Sequence, residues 1–388
     1  MTRVLIDARW LRWGKRGIGN FTESLLEGLS KLSTSEINIT IAIPQSNAVH
    51  LTEKFSGFFK FILIPNLPDP IIDIFYFSYI NIKNSFDVIH FTGNSGLLLI
   101  RRNCRVLLTL HDVSFMKDST IVPWPQRTKQ IIGRVYRKLL VPIFIRNAQK
   151  VVTVSNFALN DILMEFPFIR DIEYLYHGVN KISPNSKPLT SETATLVNKN
   201  LLVIGGNDPQ KNLNTVILAF NSLYYKLGEV APRVSIIGLN LNDFKEFNPE
   251  LNLTPNVQFL GYLEKDQIPL VITHSMGIII ASYYESFGLP VIESLFMGKP
   301  VICSDRGALP EIGGNAPIYF DPSSKESLIK AIEFFNLNPD RTDEINNWKE
   351  LAENRFSWNK TASRYAEIYE EFGINSERLI NDISPVGI

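Results

Sequence analysis

Cysteine is almost missing from this chain: Cys104 and Cys303 are the only two in 388 residues. They fall in separate halves, which argues against a disulfide framework and fits a reducing cytoplasm. No apolar run is long enough to cross a bilayer. No leader segment precedes Val4–Asp7, which already reads as a first strand. Asp-x-Asp does not occur, and the five histidines form no cluster with cysteine at metal-ligand spacing, so no metal or other cofactor is expected. The glycines of Gly14-Lys-Arg-Gly-Ile-Gly19 stand in the wrong order for a dinucleotide signature, which disfavours hydride transfer. No short internal repeat and no nucleic-acid signature is present.

What is there suits two ordinary domains. Apolar residues make up 45% and charged residues 20%, so the chain has the composition of a packed globular protein. The formal charge of zero hides a division. Residues 1–180 hold 21 Lys and Arg against 14 Asp and Glu, and the remainder holds 18 against 25. A basic first half fits an anionic acceptor such as a lipid diphosphate, or an anionic membrane face.

Strand and helix patterns alternate, which predicts an α/β fold with parallel sheets covered by helices. Strands are expected at residues 4–6, 39–43, 61–64, 88–91, 106–110 and 150–154. Helices are expected at 19–32 and 125–146, with another after Ser155 as N-cap. A polar stretch, 181–195, reads as a linker. The pattern then restarts, with strands at 201–204, 234–237, 257–259, 277–281, 301–303 and 318–320. Helices should follow Lys211, Asp266, Pro290 and Ser323, and 358–372 closes the pattern as a helix.

The richest stretch is Ser282-Tyr-Tyr-Glu-Ser-Phe-Gly-Leu-Pro-Val-Ile-Glu293. It follows an apolar strand and opens a helix at Pro290. A helix start offers unpaired N–H groups and partial positive charge, which suits a phosphate. The donors would come from Phe287, Gly288 and Leu289, with Ser286 beside them. Glu285 and Glu293 flank that site and cannot bind a diphosphate, so they suit what hangs from its two ends: sugar hydroxyls and a ribose. Gly205-Gly206-Asn-Asp-Pro-Gln210-Lys211-Asn212 forms a second anion cradle, with Lys211 near a helix start. His111-Asp112 stands at the carboxyl end of a strand, where ligands collect in open α/β sheets.

The run Tyr284–Ser304, followed by Gly307-Ala-Leu-Pro-Glu311-Ile-Gly313, resembles family 4 of the retaining glycosyltransferases. The likeness extends through Arg3–Arg9, Gly17-Ile-Gly19, Thr109–Asp112, Val152–Ser155, His177–Asn180, Gly205, Lys211-Asn212 and Phe356-Ser-Trp358. It implies the GT-B fold: two Rossmann-like domains whose parallel sheets face across a cleft, at 1–180 and 181–357, with a helical segment 358–388 crossing back to the first. It implies transfer of a hexose, mannose or related, from a GDP- or UDP-linked donor to a glycan or lipid-linked glycan in polysaccharide biosynthesis. Such transfer retains configuration and is metal-independent. Glu285, Lys211 and His111 would be catalytic, with His111 against the donor sugar. The Gly17/Gly19 loop would approach the donor phosphates, as would Gly205, Gly206, Gln210 and Lys211. The chain departs from the family at Gly206 and Gln210, where arginine is common, and Lys15 and Arg16 are candidates to supply the charge. The alternatives are a catalytically weak nucleotide-sugar binder or a nucleotide-sugar isomerase of the same fold. The expected location is cytoplasmic, with peripheral contact at the inner membrane face. That contact would use Phe75–Tyr79, Ile121–Trp124 and the basic residues Arg127, Lys129, Arg134, Arg137 and Lys138.

Overall fold

Runs of β-branched and aliphatic residues buried on both faces form parallel strands, because helices cover both sides of such a sheet. The computed structural model describes residues 1–388 except 14–16, 33–35, 99–103, 126, 180–188, 191–193, 196, 207, 265–266 and 382–388. Lys15, Arg16, Asp266 and most of the proposed linker lie outside the described residues. The chain forms two units. The first comprises Met1–Val113, Val135–Gly178 and Phe356–Ile388, and the second Ser114–Arg134 and Val179–Arg355. The segment Ser114–Arg134, which the sequence reading put in the first domain, groups with the second.

In the first unit the strands are β1 (Thr2–Asp7), β2 (Ile37–Pro44), β3 (Lys60–Ile64), β4 (Val88–Phe91), β5 (Arg105–Thr109), β6 (Lys150–Thr153) and β7 (Ile172–Tyr174). They lie in the order β3-β2-β1-β4-β5-β6-β7, and every pair is parallel. The short β7 was not anticipated. The helix Asn156–Glu165 begins where expected, its Ser155 side chain accepting from the Ala158 amide.

The helix Trp358–Asn381 belongs to this unit. It lies so close to the helix Gly17–Leu29 that a Cβ on Gly28 would fall 2.6 Å from the Ala362 methyl. Tyr365 and Tyr369 enter the core with β1 and β2 residues. Their hydroxyls meet Thr109 Oγ1 at 2.8 Å and His90 Nδ1 at 2.7 Å.

The second unit repeats the scheme with β8 (Leu201–Ile204), β9 (Val234–Ile237), β10 (Val257–Gly261), β11 (Gly277–Ile280), β12 (Val301–Ser304) and β13 (Ile318–Phe320). Their order is β10-β9-β8-β11-β12-β13, parallel throughout. The helices Leu213–Leu227 and Lys325–Leu337 bury Phe220, Leu223, Ile332 and Phe335 against this sheet.

Both sheets run outward in both directions from their opening strand. Each therefore has a switch point, between β1 and β4 and between β8 and β11, where loops diverge and leave room for a ligand. Among the described residues no helix is long and apolar enough to cross a membrane.

Candidate active site

The switch point of the second sheet gathers the motif residues. After β8, Gly205 is held by its amide to the Ile237 carbonyl at 2.8 Å. It is packed so tightly that a Cβ would lie 3.1 Å from Ile236 Cγ2. Gly206 differs, since a Cβ there would meet nothing within 4 Å. The chain then makes a 3-10 turn, Pro209–Lys211, which Asp208 caps by accepting from the Gln210 amide at 3.1 Å. Asn212 follows at φ 56°, a left-handed conformation that asparagine tolerates. Its side-chain amide donates to the carbonyls of Ala281 (3.0 Å) and Pro322 (2.8 Å), tying this loop to the ends of β11 and β13. Asn212 is thus a structural tie.

After β11, the loop 281–288 lies against that turn. The Tyr283 amide donates to the Gln210 carbonyl at 3.0 Å, and the Gln210 side chain donates to the Tyr284 carbonyl. Lys211 Nζ reaches Glu285 Oε1 at 2.7 Å, and Ser282 Oγ donates to the same oxygen at 2.8 Å. Glu285 raises the Lys211 pKa by its charge, against the opposing cost of burial, so the ammonium is protonated at neutral pH. The sequence reading gave these two residues separate tasks; the structure pairs them. Opposite charges at this distance and partial burial are each other's nearest counter-ion.

Gly307 and Ala308 complete the arrangement, and the sequence reading assigned them no task. The Ala308 amide donates to the Glu285 carbonyl at 2.8 Å. Gly307 has φ 66°, and a Cβ there would collide with the Glu285 backbone. The glycine inside the recognised motif was the available signal.

The helix Leu289–Phe296 opens at Gly288, whose φ of 104° only glycine adopts readily. A Cβ at Gly288 would also lie 2.8 Å from Leu309 Cδ2. Pro290 is the second helical residue rather than the first. Phe287 is buried, and Ser286, Leu289 and Glu293 are half-buried. Cys303, in β12, is buried, and burial pushes its thiol pKa well up, so it remains protonated. Glu311 stands in the helix Leu309–Gly313, 3.9 Å from Arg355, with its carbonyl accepting from that arginine at 3.0 Å. That is a structural contact.

In the first unit, His111 follows β5. Its amide donates to Asn94 Oδ1 at 3.0 Å, and its Nε2 lies 2.9 Å from the Thr92 carbonyl. A carbonyl only accepts, so Nε2 carries the proton and Nδ1 is the lone-pair nitrogen. Burial lowers the His111 pKa, outweighing the Thr92 carbonyl and Asp112, and keeps the ring neutral. The Asp112 carbonyl accepts from Asn94 at 3.3 Å. Phe21 and His177 pack edge-on to the His111 ring. Gly17 opens the helix Gly17–Leu29 with space around it, whereas Gly19 approaches the Trp10 carbonyl so closely that a Cβ would sit 3.0 Å away. Gly19 is therefore a packing glycine.

One proposed surface residue is corrected. Arg134 is buried, not exposed. Its guanidinium donates to the carbonyls of Lys117, Val122, Pro123 and Phe115, and it stacks on Trp124 at 4.5 Å. Arginine offers five donors, which allows one side chain to staple such a loop. Among the described residues no group of three or more His, Cys, Asp or Glu could hold a metal ion.

Comparison with known proteins bears on the family and the fold. The family model described as Glycosyltransferase Family 4 matches residues 15–181, and that described as Glycosyl transferases group 1 matches residues 193–355. The O-antigen chain mannosyltransferase B of Escherichia coli is 25% identical over 281 residues, covering 69% of this chain and 70% of its own. The MMP alpha-(1->4)-mannosyltransferase of Mycolicibacterium hassiacum is 22% identical, covering 74% and 71%. Sucrose-phosphate synthase from Thermosynechococcus elongatus has the same fold at TM-score 0.69 and 16% identity, over 96% of this chain and 99% of that one. Anabaena HepE, solved in complex with UDP and glucose, matches at TM-score 0.64 and 16% identity, over 95% and 100%. With both halves matched and the two switch-point sheets in place, the chain belongs to the group 1, family 4 glycosyltransferases of two-domain, Rossmann-like GT-B fold.

Proposed function

We propose that the protein is a retaining, metal-independent hexosyltransferase that moves mannose or a related hexose from a GDP- or UDP-linked donor to a glycan or lipid-linked glycan. The observation that carries this reading is the Lys211–Glu285 pair at the switch point, beside a helix start at Gly288. The mannosyltransferase names of the relatives support the choice of sugar, and the HepE complex supports a nucleotide-sugar donor. In this scheme the donor diphosphate displaces Glu285 from Lys211. Lys211 and the amides at the helix start stabilise charge growing on the phosphate. Freed, Glu285 orients sugar hydroxyls, while Glu293 holds the ribose. A bond forms from the acceptor oxygen to the anomeric carbon on the face from which the phosphate oxygen departs, and that oxygen takes the acceptor proton. His111, neutral, contributes Nδ1 as an acceptor for a hydroxyl.

One observation favours the weak-binder alternative. Gly206 and Gln210 stand where the family commonly has arginine, and the Gln210 side chain is already engaged by the Tyr284 carbonyl. Thermal stabilisation by UDP-, GDP-, ADP- and dTDP-sugars, with Glu293→Ala alongside, separates the readings. A selective shift lost in the variant is expected. No shift from any nucleotide would bring the weak-binder reading forward.

We also propose peripheral contact with an anionic membrane at the cytoplasmic face. The helix Thr128–Asn147 holds five Lys and Arg, of which Arg134 is buried, and no Asp or Glu. Within the first unit it exposes Val135, Leu139 and Ile143 at helical spacing, and the run Asp69–Asn84 exposes Phe75, Tyr79 and Ile82. Apolar stripes among basic residues suit a lipid headgroup boundary. Pelleting with anionic liposomes is the expected result, and no binding at low salt would remove the idea.

A further inference from the structure

A cavity of about 430 Å³ lies in the second unit, beside the turn that carries Lys211. Its volume falls in the range of roughly 300–1,000 Å³ usual for small-molecule sites. Gly206, Asp208, Asp243, Phe244, Phe247 and Tyr283 are among the residues lining it, and among the described residues no Lys or Arg does so. Gly206 contributes only backbone, and a Cβ there would point into open space. The position at which the family commonly carries a cation thus opens a space whose charged lining, among the described residues, is two carboxylates.

Those carboxylates disfavour a phosphate and have acceptor capacity to spare. Asp208 Oδ1 accepts from the Gln210 amide at 3.1 Å, and Asp243 Oδ2 accepts from the Tyr262 hydroxyl at 3.3 Å. Among the described residues the second oxygen of each has no hydrogen-bond partner. Phe244 and Phe247 supply an apolar wall. Carboxylate acceptors opposite aromatic carbon suit a ring with hydroxyls on its rim and C–H groups on its face.

We propose that this cavity is a subsite for a neutral hexose unit of a glycan, separate from the nucleotide-sugar pocket and adjoining it through the turn Asp208–Lys211. The proposal rests on the glycosyltransferase reading in assigning the bound hexose to a glycan substrate. Asp208 and Pro209 line the cavity, and Lys211, at the end of the same turn, pairs with Glu285. A hexose bound to Asp208 therefore bears on the turn that sets the position of Lys211.

Saturation-transfer NMR on the full chain tests this with mannose, glucose, galactose and their short neutral oligosaccharides, with inorganic phosphate as the anionic arm. Leu218, two-fifths exposed on the helix Leu213–Leu227, also lines the cavity, and Leu218→Trp would add bulk to its lining at a position outside the core cluster. Asp243→Asn keeps the shape and removes a charge. We expect a neutral saccharide to bind the wild type, Leu218→Trp to weaken it about tenfold, and Asp243→Asn to weaken it by less. Thermal stabilisation by the nucleotide sugar should persist in both variants. The proposal is overturned if no saccharide in the panel binds, if phosphate binds in preference, or if both variants bind the saccharide as the wild type does. Saccharide binding without any nucleotide-sugar shift would leave the subsite standing and remove the transferase reading instead.

Discussion

The two sheets share a strand order, yet the loops after their opening strands hold charge in different ways. After β1, Arg9 is fully buried, with ion pairs to Asp7 at 2.7 Å and Asp73 at 2.6 Å. Asp73 in turn accepts from Tyr136 at 2.6 Å. Burial alone would depress the Arg9 pKa, but Asp7 and then Asp73 carry it above its usual value. After β8, Lys211 pairs with one carboxylate and keeps about a third of its side chain exposed (35%). The first charge is sealed inside the fold, whereas the second remains within reach of solvent, as the proposed exchange of Glu285 for a donor phosphate requires. One topology thus supports both a sealed ionic core and a partly open ion pair, and side-chain burial separates the two.

Replacing the two cations should separate these roles. Arg9→Met leaves Asp7 and Asp73 buried without a counter-ion and should cost about 3–5 kcal/mol of stability, measured by urea denaturation. A loss below 1 kcal/mol would remove the contrast. Lys211→Met should barely move the denaturation midpoint, since a partly exposed pair contributes about 1 kcal/mol or less. It should lower transfer by about 10²–10³-fold, the usual effect of deleting one group that stabilises transition-state charge. Equal losses of stability in the two variants would show the sites to be alike.

Acid sharpens the comparison from another side. Burial depresses the His90 pKa to about 3, with the nearby His111 adding to it. Its unfolded value is about 6.5. Between those values only the unfolded chain takes up the proton, so stability is complete above the upper value and falls with pH below it. His90 alone should cost about 2 kcal/mol between pH 7 and pH 5. His111 and His177 act in the same direction. Urea midpoints at the two pH values, in the wild type and in His90→Gln, measure the slope, which should flatten in the variant. The smallest effect is expected from Ser282→Ala. It removes one hydrogen bond to Glu285 and should cost about 1 kcal/mol, read as weaker nucleotide-sugar stabilisation with an unchanged pH profile.

Sequence patterns announced both sheets because their strands are dense in Ile, Val and Leu, as in Gly277-Ile-Ile-Ile280. They missed β7, three residues with one β-branched side chain, and the polar helix Thr342–Arg355, whose apolar stripe is thin. The turn and helix start at Gly288-Leu-Pro290 were readable because glycine and proline are punctuation with fixed backbone meaning. The Lys211–Glu285 pairing was not, since the two stand 74 positions apart and meet only where β8 and β11 adjoin. Arg134 was misread for a physical reason: arginine is rarely fully buried, and only a ring of inward-facing carbonyls makes its burial tolerable.

The close seat of Ala362 on Gly28 has a consequence for biosynthesis. A ribosome adds roughly 5–20 residues per second. The core that β1 begins receives Tyr365 and Tyr369 only after the strands of the second unit have been made. During that interval the opening sheet has the helix Gly17–Leu29 against it but lacks Tyr365 and Tyr369, while the later sheet already has its own helices. For these two sheets, order of synthesis and order of completion are reversed.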